Sequence, residues 1–162
     1  VLMIQAWRIV QTQRASTAFG GEGARLYGGR WNRPGTRAIY CPGSLSLATF
    51  EILVNLDSGQ SLGRYVSIPV AFDDSICEEL EFSALPKDWS THPPPSSTQS
   101  LGSEWAASQT SAILAVPSSV IHTELNYIMN PAHPHFTSLV IGDASPFDLD
   151  DDTGFAQDVT FA

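Results

Sequence analysis

Short apolar runs punctuated by glycine and proline set the pattern of this chain. Ala6–Val10 is apolar around a single Arg8 and reads as a strand. Gly20-Gly21-Glu22-Gly23 and Gly28-Gly29 bracket Leu26-Tyr27 in what reads as a loop region. Arg37–Cys41 predicts a short strand stopped by Pro42-Gly43. Ser44 is then placed as an N-cap, and Leu45, Ala48, Ile52 and Leu56 follow at helical spacing. Arg64–Phe72 alternates as a strand does. Thr91–Ser100, with Pro93-Pro94-Pro95, predicts an exposed loop, and Leu101–Ser111 a weak helix anchored by Trp105. Ala112–Val116 reads as a strand ended by Pro117. Asn130-Pro131 and His133-Pro134 predict a rigid turn region, and Thr137–Ile141 a last strand. Strands outnumber helices, so the predicted class is α+β with a sheet-based core.

Composition narrows the picture. The 162 residues are 43% hydrophobic and 15% charged, which suits one domain over 1–162 with an acidic, poorly periodic tail after residue 143. No apolar run approaches the roughly 20 residues of a membrane span, and no signal peptide opens the chain. The opening Val1-Leu2-Met3 reads equally as a cloning remnant or an alternative start. Two cysteines make no disulfide framework, so a reducing cytoplasm is expected.

Charge changes the picture most. The net charge of −9 argues against direct nucleic-acid binding, and against an RNA-cleaving activity. Residues 88–162 hold no Lys or Arg and nine acidic groups. Arg25, Arg30, Arg33 and Arg37 crowd one short segment, and no Asp or Glu lies between Gly23 and Phe50. Arginine throughout favours forked recognition of phosphate or carboxylate. The segment predicts a local site for a small anionic ligand.

Within it, Gly28-Gly29-Arg30-Trp31-Asn32 combines a sharply turning backbone with an anion-binding fork. Tyr40 offers a flat face and a phenol. Glu51 lies in an apolar helix with no cation among its helical neighbours, so it faces either water or a cleft shared with Arg30 and Tyr40. Together these types suit cleavage of a bond from a sugar C1′ to a cationic nitrogen base. A carboxylate stabilises the oxocarbenium-like cation, an aromatic face binds the leaving ring and an arginine holds phosphates. The base departs neutral, so no second carboxylate is needed as general acid.

The block Gly21–Asn32, then Pro34-Gly35 and Ala38-Ile39-Tyr40, resembles the RES domain. So do Leu114–Ser118 and Glu124–Pro134, and the resemblance spans roughly residues 6–150. It implies a split β-sheet core of ADP-ribosyltransferase type with surrounding helices. It also implies a bacterial toxin paired with a helix-turn-helix, Xre-type antitoxin, with a toxin dimer inside the larger complex. The implied activity is NAD⁺ depletion by hydrolysis or phosphorolysis, with NAD⁺ as substrate and no prosthetic group or metal. One branch of the family modifies a protein target instead, and a catalytically silent antitoxin-binding module is the non-enzymatic alternative. By position, Arg30, Tyr40 and Glu51 match the catalytic residues. Arg8, Tyr27, Trp31, Asn32 and Ser118 match substrate-binding positions, Ser118 being the motif serine. Asn126 and His133 fall in the second motif, where a purely structural role stands beside a functional one. Family members often end in an Asp and an Arg, but Phe147–Asp152 holds no arginine here.

Other candidates carry less. His133 and His135 fit no strong zinc spacing. His92 and His122 are isolated. Cys41 is expected in the core. Ser118-Ser119 lies outside a nucleophile elbow, Gly20–Gly23 lacks the Lys of a phosphate loop, and Asp150–Asp152 lacks the spacing of a calcium loop.

Overall fold

The computed structural model describes residues 2–55 and 64–147. The last predicted helical position, Leu56, and the acidic stretch 148–162 with Asp150–Asp152 lie outside the described residues.

Two four-stranded sheets face each other. The first joins β1 (Met3–Gln11) to β3 (Tyr65–Asp73) in an antiparallel ladder from Met3↔Asp73 to Gln11↔Tyr65. The other side of β3 takes β7 (Val140–Ile141) at Val70–Ala71 and β8 (Ser145–Phe147) at Tyr65–Ser67. The break between them falls at Ile68–Pro69, where proline has no N–H for the ladder; the Pro69 carbonyl instead accepts from the Gly142 N–H at 2.8 Å. The second sheet runs β2 (Ile39–Pro42), β6 (Leu125–Met129), β5 (Ile113–Pro117) and β4 (Cys77–Glu79), with only β4–β5 parallel. Ala6, Val70 and Phe72 of the first sheet meet Ile39, Cys41, Ile113 and Met129 of the second in a shared core. This is the α+β, split-sheet architecture. Among the described residues, no helix is long and apolar enough to cross a membrane.

Three α-helices complete it among the described residues. α1 (Glu22–Tyr27) winds inside the glycine-rich stretch expected to be loop, with Arg25 N–H bonded back to Gly21 O. α2 (Leu45–Asn55) begins where Ser44 was placed as cap: Ser44 Oγ accepts from Leu47 N–H at 3.0 Å. α3 spans Ser96–Ser108, so it takes in residues 96–100 of the expected loop and ends before Ser111. Its first turn, Ser-Ser-Thr-Gln-Ser, has modest helix propensity, but tertiary packing overrides it: Thr98, Gly102, Trp105 and Ala106 are buried. The expected strand Thr137–Ile141 shrinks to Val140–Ile141. Pro134 instead opens a 3₁₀ turn through Ser138, and His133 Nδ1 caps it by accepting from His135 N–H at 3.0 Å.

Candidate active site

Arg8 shares the inner face of β1 with Ala6 under the two-residue period of a strand. Its side chain crosses towards the second sheet: Nε donates to Ala18 O at 2.6 Å and Nη1 to Tyr40 O at 3.1 Å. Burial lowers the pKa of this guanidinium, with nearby Cys41 acting in the opposite sense. Cys41 itself is a core residue whose thiol burial pushes up to about 12.

The glycine-rich turn exists to let Tyr40 approach. A side-chain carbon on Gly29 would stand 2.5 Å from Tyr40 Oη and 2.9 Å from Asn32 Oδ1. The Tyr40 hydroxyl is fully committed there, accepting from Trp31 N–H at 3.0 Å and donating to Asn32 Oδ1 at 2.6 Å. Burial raises the pKa of this phenol far above its ordinary value. Tyr40 therefore offers the cavity its ring, with its proton held by the scaffold. Asn32, fully buried, spreads its Nδ2 over the carbonyls of Ala24, Arg33 and Thr36. Behind this turn, α3 comes so close that a Cβ on Gly102 would sit 1.8 Å from Trp31 O.

Arg30 is held by two main-chain carbonyls, Nη1 donating to Trp89 O at 2.9 Å and to Thr91 O at 2.8 Å. Its Nε and Nη2 have no protein partner among the described residues. Partial burial lowers its pKa, and Tyr40 and Glu51 counter this, so both lie within electrostatic reach.

Glu51 follows Leu47 and Ala48, the buried residues of α2, by one helical turn, which turns its carboxylate inward rather than to open water. Ser118 Oγ donates to its Oε1 at 2.8 Å, and Asn126 Nδ2 to the same oxygen at 2.7 Å. Ser118 is itself pinned by Val120 and Ile121 N–H donating to Oγ at 3.1 and 3.3 Å. Among the described residues, Glu51 Oε2 has no protein partner.

These groups meet in a cavity of about 930 Å³, at the upper end of the roughly 300–1,000 Å³ usual for small-molecule sites. Arg8, Tyr27, Arg30, Trp31, Tyr40 and Glu51 all line it. Tyr27, 83% exposed, stands on the wall as a free aromatic face. Two of the residues singled out from the sequence do not reach the wall. Asn32 sits behind Tyr40, and Ser118 behind Glu51, both fully buried. The four-arginine segment also divides. Arg25 and Arg37 pair with Glu22, Arg33 bonds Ser100, and only Arg30 reaches the cavity. In their place come Arg14, from the 3₁₀ turn after β1, and Asn126. No local pattern marks Arg14; Asn126 was marked only by its motif. Among the described residues no cluster of His, Cys, Asp and Glu could hold a metal ion.

A split-sheet α+β fold that gathers arginines, the Glu51 carboxylate and an aromatic wall in a single cleft defines a class of small-molecule site rather than a polymer groove. Residues 5–150 match the family model described as the RES domain, and the chain belongs to that family. It is 37% identical to "Toxin Res" of Yersinia enterocolitica over 130 residues, 80% of this chain and 86% of that one. It is 38% identical to the "Prs ADP-ribosylating toxin" of a Sphingobium species over 134 residues, 79% and 83% of the two chains. In shape it is similar to a chain in the crystal structure of the M. tuberculosis MbcT–MbcA toxin–antitoxin complex. The TM-score is 0.75 at 18% identity, covering 98% of this chain and 89% of that one.

Proposed function

We propose that this chain is a toxin that consumes NAD⁺ by breaking the bond between nicotinamide and ribose. The observation that carries the reading is the matched pair Arg30 and Glu51. Each is fixed through one atom, Nη1 and Oε1, and each leaves its remaining polar atoms without a partner among the described residues beside one cavity. Arg30 takes the pyrophosphate through Nε and Nη2, and Arg8 and Arg14 add positive potential along the same wall. The Tyr40 ring receives the nicotinamide, where stacking on an aromatic is worth ~1–3 kcal/mol. The C1′–N bond breaks with its electron pair leaving on nicotinamide, which departs neutral. Glu51 Oε2 stabilises the ribosyl cation. Water then adds to C1′, giving ADP-ribose and one released proton; inorganic phosphate in its place gives the 1-phosphate ester.

Nicotinamide release from NAD⁺ by the purified protein tests this. Glu51→Ala and Arg30→Ala, still folded, are expected to lose at least ~10²–10³-fold in kcat. Turnover by Glu51→Ala at the wild-type rate removes the mechanism.

A second reading is favoured by the Sphingobium relative, named as an ADP-ribosylating toxin: the same cation is captured by a protein nucleophile. Adenine-labelled NAD⁺ in a lysate separates the two, since transfer labels protein and hydrolysis leaves free ADP-ribose. A consumer of an abundant cofactor also needs restraint. The shape shared with a chain of a toxin–antitoxin complex supports an antitoxin partner; by the resemblance to the RES domain it is a helix-turn-helix protein, and its place is over the cavity mouth, where Tyr27 and Val54 are exposed. Co-expression is expected to yield a stable, inactive complex and to relieve growth arrest. Arrest that persists beside an intact complex counts against it.

A further inference from the structure

Asn126 stands at the start of β6, opposite Val116 of β5 and Pro42 of β2, and lines the cavity. Its Nδ2 donates to Glu51 Oε1. Its Oδ1 is, among the described residues, the one buried side-chain nitrogen or oxygen with no hydrogen-bond partner. Buried acceptors in native proteins find a donor as a rule, and an unmet one weakens the fold. Turning the amide over brings no relief, because it sets Oδ1 against Oε1 and faces one acceptor with another. Glu51 therefore dictates the orientation, and the fold bears the unmet acceptor.

We infer that Asn126 is a positioning residue for Glu51: with Ser118 it fixes Oε1 so that Oε2 alone is presented to the cavity. Two donors converging on one oxygen remove the carboxylate's freedom to rotate about its last bond. A leucine here would fill similar space without an orphaned acceptor, yet would leave the carboxylate loosely held. An aspartate would keep the shape but put a second anion in place of the donor, so that the two carboxylates repel. This role rests on reading Glu51 as the group that stabilises the cation.

The test compares Asn126→Leu and Asn126→Asp with wild type in the NAD⁺ assay across pH, alongside urea unfolding. Asn126→Leu is expected to lower kcat on the order of 100-fold, the scale of a misplaced catalytic group, with KM little changed. Asn126→Asp falls at neutral pH at least as far. An unchanged kcat overturns the inference, and so does a raised KM at wild-type kcat, which makes Asn126 a substrate contact. A double-mutant cycle on unfolding, with Glu51→Ala, needs no substrate. Asn126→Leu is expected to be better tolerated when Glu51 is absent, and additive effects refute the clamp. Clear coupling in a wild type that leaves NAD⁺ intact upholds the clamp and overturns the proposed reaction instead.

Discussion

Tyr40→Phe removes one oxygen and isolates the claim that the phenol braces the glycine turn while the ring meets substrate. Two bonds vanish: the one received from Trp31 N–H at 3.0 Å and the one given to Asn32 Oδ1 at 2.6 Å. Both abandoned groups belong to buried residues, Trp31 at 3% exposure and Asn32 at 0%, and neither atom has another partner among the described residues. A buried group left unmet costs ~1–3 kcal/mol. The small gain from deleting a buried hydroxyl offsets part of the sum, leaving a loss of about 2–4 kcal/mol. For a chain of this size that lowers Tm by roughly 4–16 °C. Calorimetry or urea unfolding reads the loss, and nicotinamide release at a temperature where both proteins are folded reads the chemistry. The variant is expected to be clearly less stable yet to keep kcat within about tenfold of wild type, because the ring face survives. Wild-type stability refutes the brace. A folded Tyr40→Phe as inactive as Glu51→Ala refutes the assignment of the work to the ring.

Further expectations test neighbouring parts. Gly29→Ala drives a methyl into Tyr40 Oη at 2.5 Å and should destabilise by ~1–3 kcal/mol, the range for overpacking; an unchanged urea midpoint contradicts the packing. Gly102→Ala meets the Trp31 carbonyl at 1.8 Å, a main-chain atom that cannot step aside. It should fail to give a stable monomer at 37 °C, and a normal melting curve would disprove the close docking of α3. At alkaline pH the sign is fixed by two raised values. The Cys41 thiol goes from 9.0 to about 12, and the Tyr40 phenol is shifted upwards from 10.0. The unfolded chain gives up these protons first, so stability is full below about pH 9 and declines as pH climbs towards 12. Urea midpoints at pH 8 and pH 10.5 read the decline, and Cys41→Ala should flatten part of it; equal slopes with and without the thiol would rule out its share.

Much of the frame was legible because it rests on local pattern. β1, β3 and β5 carry their own apolar signal, and Ser44 announces α2. α3 was cut short because its first turn is Ser and Thr, and what makes it helical is the face it buries against Trp31. The last strand was overread because Thr137 and Leu139 look extended until Pro134 and the cap from His133 wind the chain. The arginines mislead for a similar reason. The acid-free window opens at Gly23, and the carboxylate that occupies Arg25 and Arg37 is Glu22, one residue outside it. That Arg30, Tyr40 and Glu51 share a wall follows from sheet and helix placement. That Asn32 and Ser118 stand behind that wall is a matter of side-chain destination, which spacing alone does not encode.

The cavity borrows Arg8 from the first strand and Asn126 from the sixth, one from each sheet. On the ribosome, therefore, the cleft cannot close until residue 126 has emerged. At ~5–20 residues per second, the stretch from residue 8 to residue 126 takes roughly 6–24 s to make. A fragment that stops short of residue 126 lacks the assembled cleft, so the activity proposed above cannot begin within that interval.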